Sequence, residues 1–97
     1  MGKPKSAGGK MRASHILVPK HSHLLKIIDK LDAGQKFKDL AREFSECSSK
    51  KKGGDLGFFG RGEMVPEFEK TVRSLKIGET SEPVKTKFGW HLIQRTG

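Results

Sequence analysis

The side chains with most scope for site chemistry are the single cysteine, Cys47, and the histidines, His15 and His91 first among them. His15 lies in Met11 to Val18 (MRASHILV) and His91 in Gly89 to Arg95 (GWHLIQR), both short apolar runs with β-branched content. If these runs pair as strands, the two imidazoles share a face, where they can hydrogen-bond and fix each other's tautomers. The plainer reading is two separate core histidines with structural roles. Cys47 follows a helical run and neighbours Glu46, a setting unfavourable to an anionic nucleophile, although Lys50, Lys51 and Lys52 act the other way. His21 and His23 add an H-x-H. With His15 and Cys47 they match no standard zinc spacing, so no metal is expected.

Chemistry of this kind needs a place to happen, and Cys47 to Phe68 (CSSKKKGGDLGFFGRGEMVPEF) supplies the densest set of signals. Five glycines, Gly53, Gly54, Gly57, Gly60 and Gly62, alternate with Leu56, Phe58, Phe59, Met64 and Phe68. Such a run cannot sustain a long helix, yet its apolar residues must face something. A short strand between tight loops, holding a small apolar pocket open, satisfies both demands.

The flanking elements follow from periodicity. Met11 to Val18 reads as a first strand stopped by Pro19. Ser22 is placed to cap a helix with Leu24, Ile27, Ile28 and Leu31 on its inner face, and Gly34 to end it. Phe37, Leu40, Ala41 and Phe44 fall at i, i+3, i+4 and i+7 of a second helix. Pro66 suits the first turn of a third, where Glu67 and Glu69 favour a helix start and Phe68, Val72 and Leu75 face inward. After a turn at Gly78, two strands are expected over Glu82 to Thr86 and Gly89 to Arg95, the first an edge because of Pro83. The order strand, two helices, strand, helix, two strands leaves connections too short for parallel crossovers, which predicts an α+β domain with a largely antiparallel sheet.

A chain of 97 residues makes one domain, expected over residues 11–97, with residues 1–10 (MGKPKSAGGK) a flexible basic tail. One cysteine closes no internal disulfide and no run is apolar enough to span a bilayer, so a reducing, cytoplasmic or nuclear setting, no membrane and a monomer are expected. The formal net charge is +9, with six Lys/Arg and no acid in residues 1–28. That front permits attraction to nucleic acid or another polyanion, but no aromatic stripe accompanies it.

Four motifs in order carry a resemblance: Ser14-His15-Ile16-Leu17, Gly53-Gly54-Asp55-Leu56-Gly57, Gly62-Glu63-Met64-Val65 with Phe68, and Phe88-Gly89-Trp90-His91-Leu92-Ile93. Over about residues 11–97 the chain resembles the parvulin peptidyl-prolyl cis/trans isomerases. The resemblance implies the parvulin, FKBP-like fold, a four-stranded antiparallel sheet wrapped by helices. It implies that His15, Cys47 and His91 are the catalytic positions and that Leu56, Phe59, Met64 and Phe68 form the proline pocket. Phe88 and Lys50, Lys51 and Lys52 then stand at the groove rim. Its substrates would be proline-containing segments of polypeptides, with a role in folding and no cofactor. Rotation about an amide moves no proton, so the histidines are expected to shape the groove and Cys47 to act as a hydrogen-bonding neighbour.

The phosphate-directed parvulins carry a long cationic loop after the first strand. Here that loop is read as Pro19-Lys20-His21-Ser22, and Phe88 stands where that branch usually has Ser, so strict phosphate dependence is not expected. Lys50 to Lys52 are read as a solvated run, with an acidic-substrate site as the alternative. A different class of function is a parvulin-shaped module that docks on a polyanion through its basic front, with binding lost on raising salt or deleting residues 1–10.

Overall fold

The computed structural model describes residues 9–97. The expected tail, residues 1–10, falls almost wholly outside them. Strand β1, Met11–Val18, is followed by helix α1, His21–Asp32, and helix α2, Phe37–Phe44. A 3-10 turn over Ser48–Lys52 leads into β2, Asp55–Phe59, and then come α3, Pro66–Ser74, β3, Val84–Thr86, and β4, Gly89–Arg95. The sheet is antiparallel in the order β2-β1-β4-β3. Among the described residues no helix is long and apolar enough to cross a membrane.

Strand alternation divides the interior into two cores, one on each face of the sheet. Ile16 and Val18 of β1 and Leu92 of β4 point to one face, where α1 and α2 supply Leu24, Ile27, Phe37, Leu40 and Ala41. Met11 and Ala13 of β1 and Ile93 of β4 point to the other, where α3 supplies Phe68 and Val72 and β2 supplies Phe59. His15 and His91 continue this second face, beyond the point that α3 covers. The register pairs His15 with Ile93 and Leu17 with His91, so the two imidazoles are diagonal neighbours on adjacent strands.

Three expectations need correction. The cap of α1 is Lys20, not Ser22, and no side chain caps it; Ser22 lies inside the first turn, which shortens the loop after β1 to Pro19 and Lys20. The third strand covers Val84–Thr86 rather than Glu82 to Thr86. Pro83 has no N–H for a ladder, and ahead of it the Ser81 hydroxyl oxygen accepts the Ile93 N–H at 3.1 Å in place of a backbone carbonyl. The 3-10 turn over Ser48–Lys52 has no apolar period and was not expected as an element. The edge position of β3 does agree with Pro83.

Candidate active site

Where α3 ends its cover of the sheet, a cavity of about 330 Å³ opens, lined largely by apolar side chains. His15 and Leu17 come from β1, Leu56 from β2, Glu63, Met64 and Val65 from the loop before α3, and Phe68 from the first turn of α3. Cys47, Phe88 and His91 complete it.

Each element is held in place by identifiable bonds. Beyond Ser14, β1 no longer pairs with β2, and the chain around Cys47 takes over that edge. The His15 N–H donates to the Gly54 carbonyl at 2.9 Å, the Leu17 N–H to the Ser45 hydroxyl at 3.0 Å, and the Glu46 N–H to the Leu17 carbonyl at 2.7 Å. Buried Ser45 also accepts the Cys47 N–H at 3.3 Å, which sets the thiol beside β1. Asp55 anchors the start of β2. It takes two bonds from Arg12, at 3.1 and 2.6 Å, and the Gly57 N–H at 3.0 Å. On the opposite wall, the Gly62 N–H donates to Glu69 at 2.9 Å, tying the Met64 loop to α3. That bond and Arg73 hold the Glu69 carboxyl below the usual carboxylate range.

The imidazoles are buried, with 5% of His15 and 3% of His91 exposed, and their Nδ1 atoms are 2.9 Å apart. Both rings meet the Phe68 ring edge to face, at 5.5 and 5.6 Å between centroids. One hydrogen-bond chain runs from the Phe88 backbone to His15. The Phe88 N–H donates to the Thr86 hydroxyl oxygen at 3.1 Å, and that hydroxyl lies 2.7 Å from His91 Nε2. Through these contacts the proton position on one ring sets that on the other, because each imidazole nitrogen in the chain either donates or accepts. The His91 and His15 Nδ1 atoms share one hydrogen bond, and His15 Nε2, at the inner end of the chain, is buried with no partner. Only one proton fits between the two Nδ1 atoms, and burial holds both rings neutral. Burial, and then the neighbouring His91, push His15 down to about 4, and burial lowers His91 as well.

Thr86 was not singled out by sequence, and as one more β-branched strand residue it gave no signal. Thr86→Val keeps its shape but leaves the Phe88 N–H and His91 Nε2 without their partner. The expected loss is about 1–3 kcal/mol in urea denaturation, with a changed His91 nitrogen shift in NMR as the direct readout.

The structure brings His15, Cys47, Leu56, Met64, Phe68, Phe88 and His91 to one cavity. Phe59 is not on its surface. Paired with Met11 across the sheet, it is buried beneath Phe68, their ring centroids 6.2 Å apart. Lys50, Lys51 and Lys52 lie on the 3-10 turn, exposed and off the cavity lining. Leu17, Glu63 and Val65 were missed. Leu17 was legible in principle, since it lies two residues from His15 on the same strand face. His21 packs at a tilt against Trp90 and His23 meets Phe44 edge to face, and neither lines the cavity that holds His15 and Cys47. Among the described residues no three His, Cys, Asp or Glu side chains gather to hold a metal.

An antiparallel sheet in this order, helices on both faces and an apolar cavity walled by an imidazole pair define the parvulin class of small α+β domains. Residues 15–97 match the rotamase family, the PPIC-type PPIase domain, and the chain belongs to that family. The foldase protein PrsA of Bacillus subtilis is 51% identical over 89 residues, 91% of this chain and 30% of that protein. Its solved structure superposes with a TM-score of 0.89 at 50% identity, covering 92% of this chain and 35% of that one. NmPin, the parvulin of Nitrosopumilus maritimus, superposes with a TM-score of 0.83 at 48% identity, covering 98% of this chain and all of that one (100%). The chain spans about 30% of the length of the foldases it matches.

Proposed function

We propose that the chain accelerates cis/trans rotation of X-Pro peptide bonds in flexible polypeptide segments, without a covalent intermediate. The observation that carries this reading is the apolar cavity beside two neutral, hydrogen-bonded histidines. Rotation of the amide is opposed by roughly 18–20 kcal/mol because resonance is lost on twisting. A low-dielectric site favours the twisted, less delocalised amide if the prolyl ring is anchored while the carbonyl swings. Leu56, Met64 and Phe68 provide the anchor, Leu17 and Val65 extend it, and the flexible Met64 follows the puckered ring. The locked imidazoles form a rigid wall and transfer no proton. Cys47 lies beside the rotating amide as a weak donor. A thousandfold acceleration needs only about 4 kcal/mol of differential stabilisation, within reach of packing and one or two aimed hydrogen bonds.

The foldase name of the longer relatives supports a role on unfolded chains. The test is the isomerisation rate on peptides differing only in the residue before proline: Leu, Ala, Glu, phosphoserine and Lys. Turnover of Leu and Ala peptides without a large gain for phosphoserine is expected. No turnover by a folded chain sinks the proposal. Cys47→Ser is expected to lose only part of the rate; complete loss with the fold intact argues for a more direct role of the thiol.

A further inference from the structure

Apart from the neutral histidines, the cavity is lined by apolar residues, Cys47 and one residue of fixed charge, Glu63. Its position is built into the loop: the Glu63 N–H donates to the Gly60 carbonyl at 3.4 Å, and Glu69 holds the adjacent Gly62 N–H at 2.9 Å. The ion pairs among the described residues join Arg12 to Asp55, Arg42 to Asp39 and Arg73 to Glu69, and Glu63 takes part in none of them. The chain is strongly cationic at +9, yet Lys50, Lys51 and Lys52 stand off the lining. The fixed charge on the lining is thus negative, with the Lys87 ammonium outside it, 5.3 Å from the centroid of the Phe88 ring. A carboxylate beside an apolar wall projects its field into the space a substrate occupies.

We infer that Glu63 is a specificity-determining residue that favours substrates with Lys or Arg beside the proline over those with Glu or phosphoserine. The inference rests on the isomerase reading and adds a charge preference to it. Because Glu63 is exposed, the preference is modest, about three- to fivefold in kcat/KM between Lys and Glu peptides at low salt.

The experiment uses the full chain and two peptide sets, with Lys, Gln or Glu either just before or just after the proline. Rates are compared at about 0.01 M and about 1 M ionic strength, where the screening length falls from about 30 to about 3 Å. The expected result is Lys above Gln above Glu in at least one set at low salt, with the spread collapsing at high salt. The Lys/Glu ratio should approach one in Glu63→Gln and invert in Glu63→Lys. Each variant is compared only with itself, and circular dichroism checks that it is folded. A wild-type ratio near one with all peptides turned over overturns the inference and leaves the isomerase standing. So does a preference for Glu, which would return the charge selection to Lys50–Lys52, or a ratio that survives Glu63→Gln. No turnover of any peptide instead removes the isomerase reading itself.

Discussion

Gly54→Ala is expected to destabilise the domain by at least about 3 kcal/mol, a large share of the roughly 5–15 kcal/mol that a domain has in total. Two costs combine. Gly54 has a φ of +88°, where an L side chain costs about 1–2 kcal/mol. A Cβ there would also lie 2.5 Å from the His15 carbonyl oxygen and 3.1 Å from the Ala41 side chain, so the turn must back away from β1. Backing away stretches the 2.9 Å bond from the His15 N–H to the Gly54 carbonyl and moves the Cys47 side of the cavity away from the histidines. Gly57 is the control. Its φ is +73°, but nothing lies within 4 Å of an added Cβ, so Gly57→Ala should cost only the conformational part, about 1–2 kcal/mol. Urea denaturation of the two variants separates close approach from backbone strain. Equal losses would mean that the Gly54 contact with β1 carries no energy.

Acid is expected to unfold the domain through its histidine pair. His15 is held neutral in the fold with its pKa lowered from 6.5 to about 4. In the unfolded chain it titrates near its ordinary value, so between these limits the unfolded state binds more protons and stability rises with pH. The contribution is fully present above about pH 6.5, declines as pH falls and is gone below about pH 4. The shift corresponds to about 3 kcal/mol from His15 at most, and His91, lowered by burial, acts in the same direction. The urea midpoint should therefore fall steeply between about pH 6.5 and pH 4. His15→Phe, which cannot titrate, should flatten that slope even if it lowers stability at pH 7. An unchanged slope would place the acid sensitivity elsewhere, with the carboxylates Asp55 and Glu69 next to be tested.

The repeating elements were the most legible part of the molecule. The i, i+3, i+4, i+7 stripe of Phe37, Leu40, Ala41 and Phe44 coincides with α2, and Met11 to Val18 with β1, because burying an apolar face imposes its period on the sequence. Pro66 likewise opens α3, since it lacks the N–H that a helix start leaves unpaired. Signals that depend on a single polar residue did less well. Ser22 looked like a cap, but Lys20 holds the cap position and the helix begins two residues earlier than a Ser22 cap would place it.

The sequence by itself determined the order of strands and α-helices, the antiparallel α+β class and, through four ordered motifs, the family and most of the residues that line its candidate site. These are properties of local spacing, and local spacing is written along the chain. Tertiary structure alone decided which of those residues share a surface. Phe58 and Phe59 are adjacent and identical in type, yet strand alternation leaves the first 61% exposed and buries the second under Phe68 rather than in the cavity. Thr86 ties the two histidines into one hydrogen-bond chain and Glu63 gives the cavity lining its one fixed charge. Both effects arise only when the strands pair and the loop is tied to α3, because hydrogen bonds and fields act across space between residues that sequence keeps apart.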